Sequence, residues 1–491
     1  VISRHDILTV AEMAAADAAA SPNLSLADLI ERAGASVARI VIEKFERATV
    51  LVLAGPGHNG ADGYMAARVL REAGWPVRVA ALGPSKVVAA QTFAATWGGP
   101  IEPFDVNLSL EGLVIDALFG AGLDRPLPAD VARLERRLRA GTSRVVAIDV
   151  PSGLSGDTGK PAGEAVFHAD ITVTFHRKKP GHVLQPGRGL CGEVVVADIG
   201  LGATDARLFE NDPSRWLGEY PWPAVNAYKT TRGRLVVVSG DAWSTGAARL
   251  SARAALRVGA GLVTLLSPPE ALMVNAGHLE AVMLKSFETE VELEAIASNV
   301  EVAVIGPAAG VNEATLSNVL ALARTGAALV VDADALSVFR DEPEELFSAL
   351  DRDDVLTPHP GEFERIFPGV LKASPERITA ARTAAARAQA IVVLKGSDTV
   401  ICGPDGRAAV NVNGTPWLAT AGSGDVLAGL IGGLIAQGMG SFDAACAGVW
   451  IHAECGEAFG PGLISEDLPG LVPMVLKRLW ERVEPRKHAS G

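Results

Sequence analysis

The chain has 491 residues, 48% of them hydrophobic and 21% charged, the composition of an ordinary globular protein, and it is too long for one core, so two or three domains are expected. Its 44 Lys and Arg stand against 57 Asp and Glu, a formal charge of −13, which leaves no basic excess for nucleic acid or an anionic membrane. The longest apolar run, VLAGLIGGLIA (426–436), is short and broken by glycine, below the roughly 20 residues a bilayer span needs.

The opening pattern predicts two amphipathic helices over 7–20 and 24–46. Asp6, Glu12 and Asp17 interrupt what a secretory signal would keep uncharged. The four cysteines (Cys191, Cys402, Cys446, Cys455) have neither C-x-x-C spacing nor scaffold density, so inert buried thiols and a reducing cytoplasm are expected.

Apolar runs then alternate with helical segments: TVLVLAG (49–55), VRVAALG (77–83), GLVIDALFG (112–120), RVVAIDVPSG (144–153), DITVTF (170–175) and VVVADIGLG (194–202). Continuous apolar strands separated by helices predict a parallel sheet covered on both faces, an α/β layer fold. A Trp- and Pro-rich connector (215–233) follows, and the alternation restarts at 234–240, 261–267, 302–307, 328–336, 354–362 and 390–396. We place a domain boundary near residue 218, giving domains 1–218 and 219–491. Charge supports this cut: 1–218 holds 22 basic and 25 acidic side chains, and 219–491 holds 22 and 32. No motif repeats between the halves.

The loop GPGHNG (55–60) fits G-x-G-x-x-G after a strand, but the carboxylate expected at the end of the next strand is missing from VAALGPS, and no Lys follows Gly60 as in a P-loop. A plain tight turn is the alternative. Asn59 and Asp62 in the loop, Asp116 in VIDALFGAG, and Asp149 with Ser152 in AIDVPSG stand at the C-terminal ends of strands, where ligands bind in open α/β sheets. A carboxylate inside an apolar strand must be paired, solvated or metal-bound.

HNGADG, VIDALFGAGLDRP and AIDVPSGLSGDTG, in this order, resemble the NAD(P)H-hydrate epimerase domain, a Rossmann-like three-layer α/β/α fold, over about 1–218. The resemblance implies potassium at Asn59, Asp116 and Ser152, whose hard oxygens suit that cation. It implies substrate loops at His58, Asn59, Gly60, Ala61 and Asp62 and at Gly120, Ala121, Gly122, Leu123, Asp124, Arg125 and Pro126, with Asp149 as catalytic acid/base and substrate contact. Ala61 stands where the family commonly has Gly.

Near the C-terminus, TPWLATAGSGDVLAGLIGGLIAQG (415–438) is a Gly-rich turn entering a helix. The amides of 421–424 would face an anion at the positive end of the helix dipole. Asp425 in the first turn reads either as a cap or as a base for phosphoryl transfer. This G-[ST]-G-D turn resembles the ribokinase-like superfamily. With STGAA (244–248), IGPAAG (305–310), VVDADAL (330–336), LTPHPGEFERI (356–366) and VLKGSDTVI (393–401), it resembles the ADP- or ATP-dependent NAD(P)H-hydrate dehydratase domain over about 225–480.

That resemblance implies contacts of Ala247, Gly310 and His359 with hydrated NADH or NADPH, and an adenine-nucleotide site at Lys395, Gly396, Ser397, Asp398, Thr399 and Gly424. Asp425 is the implied catalytic residue, also touching substrate; ADP (or ATP) is the phosphoryl donor and magnesium bridges its phosphates. GPAAG replaces the more usual GPGLG, Ser244 stands for Met and Ser423 for Thr. Without the resemblance, His359 between two prolines reads as a loop cap.

A ribokinase-type kinase releasing a stable phosphoester and a non-catalytic N-terminal binding module are the rival readings. A nicotinamide-dependent dehydrogenase fails on the missing acidic residue. Small-molecule substrates, no nucleic acid, no membrane and a homo-oligomer are expected, the last from the apolar helix at 426–438 and the two opening helices.

Overall fold

The computed structural model describes residues 5–20, 24–85 and 87–488. The chain forms two compact units, 1–209 and 210–491. In the first, β1 (Asp6–Ile7) pairs antiparallel with β9 (Leu208–Glu210). The main sheet is built from β2 (Val50–Ala54), β3 (Val77–Ala81), β4 (Ile101–Pro103), β5 (Leu113–Ala117), β6 (Arg144–Ile148), β7 (Ile171–Phe175) and β8 (Glu193–Ala197). They lie in the order β4-β3-β2-β5-β6-β7-β8, all parallel. β2, β5 and β7 are buried along their whole length, the result of helices covering both faces of a parallel sheet.

The two opening helices are Val10–Ala20 and Leu26–Lys44, the latter held by a Ser25–Asp28 capping box. The strand order reverses across β2 and β5, so the crevice at their carboxyl ends is the topological switch point. Residues 55–62 and 118–126 arise there.

The second unit holds β10 (Arg234–Val238), β11 (Leu262–Ser267), β12 (Met283–Ser286), β13 (Val302–Ile305), β14 (Ala328–Val331), β15 (Val355–Leu356), β16 (Ile391–Leu394), β17 (Val400–Cys402) and β18 (Ala408–Val410). Their order is β18-β17-β16-β15-β14-β13-β10-β11-β12, parallel except for the antiparallel β16-β17-β18 meander. Helix Ser423–Ala436 packs along helix Gly246–Val258 at backbone distance: a Cβ on Gly429 would lie 2.1 Å from Ser251 O. Both domains are thus α/β, as expected. All four cysteines are buried and free, and no helix among the described residues is long and apolar enough to cross a membrane.

Two differences from the sequence reading have physical causes. The units divide at 209/210 and not near 218, because residues 210–218 are packed into the second unit. Asn211 Nδ2 donates to Asn411 Oδ1 (2.9 Å) and Cys446 O (2.8 Å), and fully buried Trp216 stands edge-on to Trp450. Several expected strands are also shorter than their apolar runs: β5 stops at Ala117, β14 at Val331 and β15 at Leu356. The remaining residues of each run turn away from the sheet to build the crevices.

Candidate active sites

In the first unit, the glycine loop is shaped by close packing. A Cβ on Gly55 would meet Leu118 O at 1.8 Å and one on Gly60 would meet Gly55 O at 1.9 Å, so both positions exclude any larger residue. Gly57 has nothing within 4 Å and borders a cavity of about 570 Å³, within the range of small-molecule sites. His58, Asn59, Asp62, Gly120, Ala121, Gly122, Leu123, Arg125 and Asp149 also line it. Gly60, Ala61, Asp124 and Pro126 do not; the Ala61 methyl is fully buried in the core under the opening helices.

Asp149 follows β6 in the left-handed region (φ 69°), a strained conformation for a residue with a Cβ. It is over-determined by its partners. Lys179 Nζ donates to Oδ1 (2.7 Å), the Ala121 N–H donates to Oδ2 (2.8 Å), and His182 Nε2 lies 2.8 Å from the Asp149 carbonyl. Because His182 Nδ1 accepts from the Lys179 N–H (2.8 Å), its proton is on Nε2 and the ring is neutral. Burial, with Lys179 adding to it, takes the His182 pKa down to about 4. Burial raises the Asp149 pKa, but Lys179 and the two hydrogen bonds to the carboxylate outweigh it and hold it below the ordinary range.

Asp62 goes the other way. Burial first, then Asp149 and Asp17, push its carboxyl well above the usual range. The two carboxyl groups of one cavity are therefore shifted in opposite directions, the kind of asymmetry that separates an acid from a base.

Asp116, fully buried at the end of β5, accepts from Ser152 Oγ (2.6 Å), the Ser152 N–H (2.7 Å) and the Leu118 N–H (3.3 Å). Burial still takes it up to about 6. Asn59 lines the Asp149 cavity, which Asp116 and Ser152 do not; its Nδ2 is buried and makes no hydrogen bond among the described residues. Lys179, whose Nζ also donates to Thr174 Oγ1 (2.8 Å), His182 and Asp17 are not among the site residues expected from the sequence. The basic cluster HRKKPGH (176–182) directly after an apolar strand was the available signal, since it falls at a strand's carboxyl end.

In the second unit, Gly422 (φ 87°) turns the chain into helix Ser423–Ala436. Asp425 in its first turn is pushed up to about 7 by burial and by Asp332, with Lys395 opposing. Lys395 Nζ contacts Asp332 Oδ1 (2.7 Å) and Glu362 Oε2 (3.7 Å), and it lies 3.4 Å from where a Gly424 Cβ would be. Lys395, Gly424 and Asp425 are thus brought together at the helix N-terminus, with Asp332 and Glu362 as additions the sequence reading did not single out. Both belong to quoted segments, and Asp332 ends an apolar strand just as Asp116 does.

His359 caps helix Pro360–Ile366: Nδ1 accepts from the Gly361 and Glu362 N–H groups, and Nε2 faces Glu362 Oε1 at 3.1 Å. Its ring is half exposed and linked through Glu362 to Lys395. The Gly310 N–H donates to Asp334 Oδ2 (2.9 Å), and Ala308 in the altered GPAAG loop adopts a positive φ of 52°. Ala247 lies in the first turn of helix Gly246–Val258.

In the 395–399 loop, Thr399 Oγ1 bonds both ends of Gly396. Asp398 is buried against Arg377 Nε (3.3 Å), and Arg377 also donates to the Leu394 and Lys395 carbonyls. Asp398 therefore shapes the loop, while Ser397 faces outward. Among the described residues there is no cluster of three or more His, Cys, Asp or Glu that could hold a metal ion.

A family described as YjeF-related protein N-terminus matches residues 26–181, and one described as NAD(P)H-hydrate dehydratase matches 235–462. The bifunctional NAD(P)H-hydrate repair enzyme of Coxiella burnetii is 34% identical over 475 residues, spanning 92% of this chain and 95% of its own. Its counterpart in Thermofilum pendens is 35% identical over 492 residues, with 93% of each chain covered. A solved ADP/ATP-dependent NAD(P)H-hydrate dehydratase from Bacillus subtilis, co-crystallised with ATP and Mg2+, is 25% identical, with 55% of this chain and 98% of its own covered and a TM-score of 0.47. With identity of 34–35% sustained along nearly the full length of both chains, the chain belongs to the family of bifunctional NAD(P)H-hydrate repair enzymes.

Proposed function

We propose that the first unit interconverts the two C6 epimers of hydrated NADH and NADPH, and that the second dehydrates the S epimer using ADP, or ATP, as phosphoryl donor. Hydration places a hydroxyl on carbon 6 of the reduced nicotinamide ring, next to the ring nitrogen. In the first unit, neutral Asp62 gives a proton to that hydroxyl and the nitrogen lone pair expels it as water, leaving a cation that the Asp149 carboxylate faces. Water returning from the opposite side loses a proton to Asp149, and solvent carries it back to Asp62. Lys179 keeps Asp149 ionised until it takes that proton, and His58 to Asp62 with Gly120 to Pro126 form the substrate loops.

Potassium fits the oxygen set of Asn59, Asp116 and Ser152: Asp116 offers a carboxylate already gathered with the Ser152 hydroxyl, and the Asn59 side chain is buried with an amide oxygen to offer. Bound there, it would supply positive charge that holds Asp116 ionised and the 118–121 loop in place.

In the second unit, Asp425 takes the proton of the C6 hydroxyl as that oxygen attacks the terminal phosphoryl group, and the 421–424 amides with Lys395 stabilise the transferring oxygens. The ring nitrogen then expels phosphate, a far better leaving group than hydroxide, while a proton leaves carbon 5. Reduced nicotinamide is restored and free phosphate released. Lys395 to Thr399 and Gly424 seat the adenine nucleotide; Ala247, Gly310 and His359 seat the substrate. The carboxylates of Asp332 and Asp425 beside this turn are hard oxygen donors that fit magnesium, which when bound neutralises the nucleotide phosphates. The expected setting is cytoplasmic and the expected assembly a homo-oligomer.

The observation that carries the reading is Asp425 in the first turn of a helix that opens on Gly422, with Lys395 at that N-terminus held by Asp332 (2.7 Å). The test is incubation with both epimers of hydrated NADH plus ADP or ATP, following absorbance of the reduced ring and free phosphate. Full recovery with one phosphate per ring is expected. A stable phosphoester would instead indicate a ribokinase-type kinase, and recovery of only about half the mixture would mean that the first unit is inert.

A further inference from the structure

A second cavity, of about 820 Å³, lies along helix Gly246–Val258, and its volume is that of a small-molecule site. Three arginines line it, Arg249, Arg253 and Arg257, spaced four residues apart on one helical face. Like charges at that spacing work against the helix, yet no acidic residue on the helix offsets them. Arg249 donates to the Thr245 hydroxyl (2.9 Å), whereas Arg253 and Arg257 are exposed and have no hydrogen bond or ion pair among the described residues. Glu280 and Glu466 also border the cavity without pairing to the arginines.

The cavity opens beside the dehydratase site. Leu250, which lines it, has Cδ1 3.0 Å from where a Cβ of Gly422 would stand, and Gly422 is the turn that precedes Asp425. Ser251, the next residue on the helix, donates to the Asp425 carbonyl (2.7 Å). From Arg249 to Arg257 the helix rises about 12 Å, a distance over which separate phosphate groups of one extended ligand can be engaged in turn.

We propose that this arginine-lined groove binds the phosphate-bearing adenosine half of the dinucleotide substrate while the hydrated ring sits at Asp425. The inference rests on the dehydratase reading above and adds to it where the remainder of the substrate lies. Guanidinium groups pair with phosphate in bidentate fashion, so Arg253 and Arg257 are substrate-positioning residues that act on binding and not on the chemical step.

Two measurements test this on the full chain. In steady-state dehydration, the double variant Arg253→Ala/Arg257→Ala should raise KM for hydrated NADPH by about tenfold or more, with kcat and the KM for ADP within about twofold of the parent. In calorimetry, adenosine 2′,5′-bisphosphate should bind the parent protein more weakly as salt rises and should fail to bind the double variant. An unchanged KM for the hydrated dinucleotide, or a rise in the KM for ADP alone, overturns the proposal. If the parent protein does not dehydrate at all, the functional reading falls, and the bisphosphate titration still decides whether the groove binds such a ligand. Arg253→Lys/Arg257→Lys, which keeps the charge and the fold but not the fork, should recover only part of the affinity.

Discussion

Lys179 Nζ lies 2.7 Å from Asp149 Oδ1, and the two side chains are 5% and 19% exposed. The carboxylate at the centre of the first site is therefore held ionised by a neighbour that water barely reaches. Replacing Asp149 by Ala should lower epimerisation by about 10²- to 10⁴-fold, the usual worth of a positioned acid–base group, measured from the rate at which one purified epimer equilibrates.

Lys179→Met carries a distinct signature. With the ammonium gone, the largest influence opposing burial is lost, the Ala121 N–H remains as the main one, and the Asp149 pKa moves up. The variant should be slow at neutral pH and gain rate as pH rises, whereas the parent enzyme should not lose Asp149 ionisation on mild acidification. A pH profile parallel to that of the parent protein would count against this pairing.

Asp425 is pushed up to about 7 by burial and by Asp332, and a base must be ionised to act. Dehydration at saturating nucleotide should therefore rise as pH climbs through about 7. Asp425→Asn should cost roughly 10²- to 10⁴-fold in kcat while leaving epimerisation untouched, because the epimerase residues belong to a different sheet.

Asp116 has a folded-state pKa raised to about 6 by burial. Its contribution to stability is present below the unfolded value near 4 and is lost as pH rises through about 6. A cation that stabilises the ionised form reverses this loss. Potassium should accordingly raise the melting temperature of the parent protein more at pH 8 than at pH 5, and Asp116→Asn should abolish the difference.

Trp216 is fully buried and packs edge-on to Trp450, 5.9 Å between ring centroids. Trp216→Ala should destabilise the second unit by about 3–5 kcal/mol, seen in denaturant unfolding followed by dehydratase activity. A dehydratase fragment beginning at residue 219 should suffer similarly, and one beginning at 210 should not.

The parallel sheets, both glycine turns and the carboxylates ending apolar strands were legible in the sequence, because burial on two faces writes itself as continuous apolar runs and polar interruptions stand out. Asp116, Asp149, Asp425 and Lys395 stand out that way or by resemblance. Lys179 and His182 escaped because their role depends on β7 lying beside β6, a neighbourhood set by the pairing of strands and invisible along the chain. The short strands β4, β12, β17 and β18 were missed for a related reason: they are three or four residues long, too short for periodicity to register. Asp398 illustrates the opposite case, a motif residue whose carboxylate is taken up by Arg377, a partner about 20 positions away along the chain.

At Gly429 the missing side chain allows helix Ser423–Ala436 to rest directly on the Ser251 backbone. One added methyl would have to push the two helices apart, at a cost of about 1–3 kcal/mol. Since Asp425 stands one turn before that contact, the wedge would tilt its carboxylate relative to Lys395 before it threatened folding. Gly429→Ala should then yield a protein that survives purification yet turns over slowly, so that mutational tolerance here is set by alignment of reacting atoms at sub-ångström scale well before it is set by solubility or yield.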